Sequence, residues 1–149
     1  MPVEVLGIDH VYVTVRDLAV AEDFYDRVLV RVLGYRKGSS LIGGDPHHHY
    51  FNRHFGFSIR PAHAGTPPHD PYAPGLHHFC FRVANELAVD EAARELGAAG
   101  VAATAPRYYP EYDRDYYATF FTDPDGVRLE ITNFRANRHR RMTAWESIG

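Results

Sequence analysis

Ile8-Asp9-His10-Val11-Tyr12-Val13 is the stretch on which the fold turns, because the chain writes it again as Leu76-His77-His78-Phe79-Cys80-Phe81. A helix-capping residue follows each copy, Asp17 after the first and Asn85 after the second. The spacing repeats to the residue: 10 to 78 and 17 to 85 are both 68 positions. A strand-then-helix unit written twice, with a histidine at the same place in each copy, points to a duplicated scaffold built around something those histidines hold. A third candidate, Glu130, comes late in the second copy after a tight turn. Two imidazoles and a carboxylate form the donor set of an open divalent-metal site.

Outward from the first copy, residues 7–15 alternate with the two-residue period of a strand. Val11, Val13 and Val15 point one way, and His10, Tyr12 and Thr14 the other. Leu18, Ala21, Phe24, Tyr25, Val28, Leu29 and Val32 then recur at helical spacing, and Gly34 supplies a stop. Residues 35–60 read as short strands broken at Gly38, at Gly43-Gly44-Asp45-Pro46 and at Gly56, with Phe57 and Ile59 opposite Ser58 and Arg60. The proline-rich run from Pro61 to Pro74 reads as a linker. In the second copy Phe79, Phe81 and Val83 oppose His78, Cys80 and Arg82, and a helix capped by Asn85 ends near Gly97 or Gly100. Tyr108 to Asp115 reads as a loop dense in tyrosine and acid.

Residues 116–122 and 127–133 form a predicted hairpin about Asp123-Pro124-Asp125-Gly126. Proline second and glycine fourth suit a type I turn closed by a left-handed glycine bulge. That register sets Phe120 opposite Glu130 and Phe121 opposite Leu129, whereas a plain four-residue turn shifts the partners by one. The element order reads as α+β: two β-α-β-β-β modules joined by a linker, each leaving the less apolar face of its strands free to line a cavity. The expected layout is one domain over 1–149, with module one at about 5–62, a linker at about 63–74, module two at about 75–134 and a tail at 135–149.

Size and composition limit the function classes. A chain of 149 residues, 45% hydrophobic and 23% charged, is of ordinary globular make-up for one domain. Sixteen basic and nineteen acidic residues leave a net charge of −3, no footprint for a nucleic-acid backbone. One cysteine excludes an intrachain disulfide and a cysteine-built zinc site. No basic-then-apolar leader and no apolar run of membrane length is present, so a soluble cytoplasmic protein is expected, with no membrane partner. Ten tyrosines suit a polar-tipped aromatic cavity as well as a core.

Each candidate ligand has a bland reading, since a lone strand histidine is usually a satisfied polar residue and a strand glutamate is usually solvated. Joint placement raises the metal reading: His10, His78 and Glu130 all fall on the less apolar face of their strands. His77 has the opposite parity and faces the core or the strand entrance. His47-His48-His49 follows a glycine-rich segment without ligand-like spacing and reads as an exposed turn, as do His63 and His69 in the linker. Cys80 shares the cavity face and reads as a buried inert thiol. The basic run from Arg135 to Arg141 reads as a solvated tail packing on the body or on a sister subunit.

The chain resembles the vicinal oxygen chelate superfamily, which groups glyoxalase, bleomycin-resistance and extradiol-dioxygenase proteins. The resemblance lies in Ile8-Asp9-His10-Val11, in Gly75-Leu76-His77-His78-Phe79 and in Asp123-Pro124-Asp125-Gly126-Val127-Arg128-Leu129-Glu130, and it spans nearly all of Val5 to Phe134. It implies that the two modules form a curved mixed sheet around a metal cavity, with a metal ion bound by His10, His78 and Glu130. It also implies a divalent ion such as Fe, Mn, Ni or Zn, a small-molecule substrate and a homodimer. Ser58 stands where glyoxalase-I-like members carry a fourth ligand. Three protein ligands leave about three open positions on an octahedral ion, room for two neighbouring substrate oxygens plus water or dioxygen. The dioxygenase branch carries a tyrosine where this chain has Phe120, and a histidine upstream, yet 107–119 contains none.

Proton transfer beside such a site needs a group within hydrogen-bond reach. Tyr116 on the Glu130 face and Tyr12 two residues past His10 are candidates, and Arg82, sharing a face with His78, is a candidate for holding a substrate carboxylate. The expected function is a divalent-metal-dependent enzyme with dioxygenase, lyase or isomerase chemistry. The alternative is a metal-free small-molecule binding or resistance protein of the bleomycin-resistance type.

Overall fold

The computed structural model describes residues 1–149 and divides them into two compact units, Met1–His69 and Asp70–Gly149. In the first unit, strand β1 (His10–Val15) leads into helix α1 (Leu18–Tyr25), and strands β2 (Arg36–Ile42), β3 (Asp45–Phe51) and β4 (Gly56–Pro61) follow. Asp17 caps α1 by accepting from the Val20 amide at 3.1 Å, which satisfies one of the helix's orphan donors. The sheet order is β1-β4-β3-β2, with β1 parallel to β4 and the other pairs antiparallel. Its core lies where the alternation put it: Val13, Val15, Phe57, Ile59 and Tyr50 meet Ala21, Phe24, Tyr25, Val28 and Leu29, all buried. Each large side chain so buried stabilises the unit by about 1.5–3 kcal/mol.

The second unit repeats the plan. Strand β5 (His78–Val83) leads to helix α2 (Glu86–Ala98), then β6 (Arg107–Tyr108), β7 (Tyr117–Thr122) and β8 (Arg128–Asn133), in the order β5-β8-β7-β6. Asn85 caps α2 through the Ala88 amide at 3.0 Å, the counterpart of Asp17. The Asp123–Gly126 turn has Gly126 at φ +83°, and the register pairs Phe120 with Glu130 and Phe121 with Leu129. The left-handed glycine, open only to a residue without a β-carbon, fixes that register.

Three expectations need correction. The run 26–32 is not α-helical: α1 widens into a π-helical segment (Asp26–Val32), although Val28 and Leu29 stay buried, so the apolar stripe survives. Gly38 lies inside β2, and Asp45-Pro46 opens β3 rather than ending a strand. His47-His48-His49 is the middle of β3, not an exposed turn, because its backbone is paired on both sides by β2 and β4. The basic tail packs on the body as expected: it forms helix α3 (Ala136–Thr143), tied to the second unit where the Ala136 amide and the Asn137 side chain bond Asp115 and Asp113 at 3.0 Å each. No helix is long and apolar enough to cross a membrane.

Candidate functional site

The parallel pairing of β5 with β8 sets Cys80 beside Glu130, and the β7 register sets Phe120 on Glu130's other side. His78, Cys80, Glu130 and Phe120 therefore share one face of the second sheet. Glu130 is 2% exposed. Its carboxylate lies 3.5 Å from His78 Nε2 and accepts a short hydrogen bond from the Tyr116 hydroxyl. A buried carboxylate needs compensation, because an unpaired buried charge is strongly disfavoured. Here the phenol supplies part of it, and a gap too wide for a hydrogen bond separates the carboxylate from the imidazole nitrogen.

The residue before each first-strand histidine orients its ring. His78 Nδ1 lies 2.8 Å from His77 Nδ1, and His10 Nδ1 lies 2.6 Å from the Asp9 carboxylate. When each histidine donates from Nδ1, its Nε2 presents a lone pair, the form a metal takes, and carboxylate-oriented imidazoles are a recurring second layer of metal sites. Within the second unit, His78 Nε2 and the buried Glu130 carboxylate are donors of the kinds a divalent cation takes. His78 and Glu130 are brought together within the second unit, while His10 holds the matching position in the first. No three histidine, cysteine or acidic groups stand at metal-binding geometry in the structure.

Around Glu130 the electrostatics are one-sided. Burial, then the hydrogen bond to Glu130, hold the Tyr116 phenol well above its ordinary pKa, so it stays a proton donor at neutral pH. The Arg135 guanidinium sits over the Tyr116 ring, 4.3 Å from its centroid, and is itself buried. Burial and the Glu130 charge push the Cys80 thiol well up, as suits an inert thiol rather than a nucleophile. Arg82 shares the His78 face but stacks on Phe134, its guanidinium carbon 4.2 Å from the ring centroid. A cavity of about 480 Å³ lies at the turn end of β7 and β8, lined by Thr104, Tyr109, Tyr112, Phe120, Arg128 and Leu129 among others. Tyr112 packs edge-on against Tyr116 at 5.3 Å between centroids, which makes a continuous aromatic wall from the cavity to the carboxylate.

The first unit carries a different set at equivalent places. Tyr12 pairs with Ser58 where the second unit pairs Cys80 with Glu130. Tyr12 meets His10, His47 and His49 edge-on at 5.6, 5.6 and 6.2 Å. Ser58 bonds His49 Nδ1 at 2.8 Å, and Ser40 bonds its Nε2 at 2.6 Å. His47 is 4% exposed, and neither ring nitrogen has a hydrogen-bond partner. Leaving a buried polar group unpaired costs about 1–3 kcal/mol, so such groups are rare outside sites with a task. Sequence reasoning missed His47 and Arg135. The three-histidine run was discounted for lack of ligand spacing, although alternation along β3 separates His47 and His49 from His48. Nothing in a basic tail marked Arg135.

Two β-α-β-β-β units whose first strands each open on an oriented histidine, one of them facing a buried glutamate, define a class of paired-module proteins. The chain belongs to the Glyoxalase/Bleomycin resistance protein/Dioxygenase superfamily, whose family model matches residues 7–131. Among solved structures it is similar to a glyoxylase/bleomycin resistance protein/dioxygenase domain from Frankia sp. EAN1pec, with 24% identity over 89% of this chain and 100% of that one, TM-score 0.72. It is similar to the fosfomycin resistance protein FosX from Listeria monocytogenes at 17% identity, covering 91% of this chain and 98% of the other, TM-score 0.63. A lactoylglutathione lyase from Agrobacterium tumefaciens matches at 21% identity, 89% and 96% coverage and TM-score 0.60. At these identities the likenesses establish the fold alone. No curated protein sequence matches significantly.

Proposed function

We propose that the chain is a divalent-metal-dependent enzyme of the vicinal oxygen chelate type, with His10, His78 and Glu130 as the metal ligands. The observation that carries this reading is the buried Glu130 carboxylate facing His78 Nε2 across 3.5 Å, with the Tyr116 phenol donating to it and the Cys80 thiol beside it. The ion is one of Fe, Mn, Ni or Zn in the divalent state, and the substrate is a small molecule that offers two neighbouring oxygens. When bound, such an ion supplies Lewis acidity to negative charge developing on a substrate oxygen. Tyr116 holds its proton and fixes the Glu130 carboxylate, and Arg135 packs the Tyr116 ring in place. Asp9 and His77 keep the two imidazoles turned with Nε2 outward. Tyr12, flanked by imidazoles, stands at the equivalent of Cys80 and is the first unit's phenol for a proton-transfer role.

Phe120, opposite Glu130, contributes no hydroxyl, which favours isomerase, lyase or addition chemistry over ring cleavage. Support from the relatives runs the same way: a variant of FosX was solved with Mn(II) and 1S,2S-dihydroxypropylphosphonic acid, and another similar structure is a lactoylglutathione lyase. The aromatic cavity beside Phe120 favours one second reading, metal-free binding of an aromatic small molecule.

Metal analysis separates the two. After reloading with Fe(II), Mn(II), Ni(II) or Zn(II), one of these ions is retained at one per chain. His78→Ala and Glu130→Ala each abolish that retention with the far-ultraviolet circular dichroism unchanged. Retention well below one per chain for every ion removes the metal reading and leaves the binding one.

A further inference from the structure

We infer that the first unit contains an oxyanion-binding site built on His47, a residue outside the proposed metal ligand set. Three observations converge on it. His47 is buried, with both ring nitrogens lacking a protein partner. The other two histidines of β3 are fully engaged: His48 with Ser39 and Glu22, His49 with Ser40 and Ser58. The fold itself does not ask for an imidazole at this place. His49 pairs with Ser58 as Phe120 pairs with Glu130, so two residues back along each strand His47 corresponds to Ala118, which is buried in the second unit. A small apolar side chain satisfies the scaffold there, and the first copy carries a ring with two open hydrogen-bonding sites instead.

The surroundings define what those nitrogens bind. His47 shares its sheet face with Tyr12, His49 and Ser58, and its ring centroid lies 5.6 Å from that of Tyr12 and 6.0 Å from that of His49. The His47 ring and the Tyr12 phenol supply open hydrogen-bonding groups, and no carboxylate stands among them. The acids at the margin are already engaged, Asp9 by His10 and Asp45 by Arg60 and His63. A patch with open donors and no unpaired carboxylate matches an anionic oxygen, carried by a carboxylate or by a phosphate-like group. The site does not depend on a bound cation and goes beyond the metal reading.

The test uses full-length, chelator-treated protein labelled with nitrogen-15 in histidine. Inorganic phosphate, methylphosphonate and acetate are titrated separately while the His47 ring signals, assigned through His47→Gln, are followed. Saturable shifts at His47 with phosphate and methylphosphonate but not acetate identify a tetrahedral anion, and the reverse identifies a carboxylate. His47→Phe weakens binding of the effective anion by about tenfold or more, while His47→Gln, which keeps a hydrogen-bonding head, restores part of it. His63→Ala, at the margin, leaves it unchanged. His47→Phe also melts at or above the wild-type temperature, since a ring kept only for structure would be missed. No shift with any of the three anions, or equal binding by wild type and His47→Phe, overturns the inference. Retained metal stoichiometry in His47→Phe separates this outcome from failure of the metal assignment.

Discussion

Replacing Tyr116 by phenylalanine removes one oxygen and little else, and the surroundings of that oxygen set the cost. The phenylalanine ring keeps its packing against Tyr112 and beneath Arg135, so what is lost is the hydroxyl's hydrogen bond to Glu130, with a lesser contact to the Cys80 thiol. Glu130 is 2% exposed, and water cannot replace the donor without opening the sheet face. A hydrogen bond to a charged group is worth about 1.5–3 kcal/mol, which puts Tyr116→Phe near 2 kcal/mol of lost stability in metal-free protein. For a chain of this length that is a fall in melting temperature of roughly 4–8 °C. The assay is urea unfolding of Tyr116→Phe, Glu130→Leu and the double variant, with the slope checked for constancy because two units can unfold in steps. With both partners apolar the penalty shrinks, so the double variant is more stable than the sum of the single losses predicts, by a coupling of about 2 kcal/mol. A coupling near zero refutes the claim that the phenol holds the carboxylate in place, and with it Tyr116's part in shaping the site.

Two further outcomes test the scaffold. Lys37 bridges Glu22 at 2.5 Å and Asp26 at 2.8 Å; burial opposes its charge, but the two carboxylates outweigh burial and leave its pKa raised above 10.5. A raised pKa means this ion cluster contributes fully below the unfolded-state value and drains as pH climbs through the folded one. Urea titrations of Lys37→Met at a series of alkaline pH values should therefore show its stability deficit shrinking above pH 10.5, and a deficit independent of pH there would assign Lys37 a packing role only. Gly126→Ala places a β-carbon at φ +83° in open space, so the penalty is backbone strain without a clash, about 1 kcal/mol by chemical denaturation. A neutral substitution would mean the turn has another conformation and the Phe120–Glu130 register is misread.

The duplicated plan was legible because it rests on short-range rules. Alternation placed Val13, Val15, Phe57 and Ile59 in the core, and Asp17 and Asn85 cap the two helices. The turn chemistry at Asp123–Gly126 was enough to predict the register that sets Phe120 against Glu130. Periodicity could not reveal the π-helical widening at Asp26–Val32, since the same apolar stripe fits either winding while Val28 and Leu29 remain inward. The histidine run was misjudged for a related reason. Glycine and proline at 43–46 carry the chemistry of a loop, but Gly43 and Gly44 alone make the turn, and Asp45-Pro46 pairs with Leu41-Ile42. At Glu130 the strand parity was readable, whereas its contact with Tyr116 depends on how the chain enters β7.

The two copies differ where their chemistry would differ, and agree where the fold requires it. Both keep a histidine at the start of the first strand, with Nδ1 engaged by the preceding residue. One strand over, the second copy has Glu130 where the first has Ser58, and on the strand beyond that the first has His47 and His49 where the second has Ala118 and Phe120. At these matching positions only the second copy supplies a carboxylate, so on the proposed metal reading the charge compensation of a cation comes from Glu130. On the inferred anion site, the first unit would meet the substrate with imidazole and phenol donors. Ser58→Glu tests that division. A second carboxylate beside His49, whose Nδ1 now takes Ser58 at 2.8 Å, adds negative charge to the donor-rich face. It should weaken anion binding there while leaving His78 and Glu130 untouched. Tighter anion binding in Ser58→Glu would show that the face selects cations, and the split between a charge-bearing copy and a substrate-bearing copy would fail.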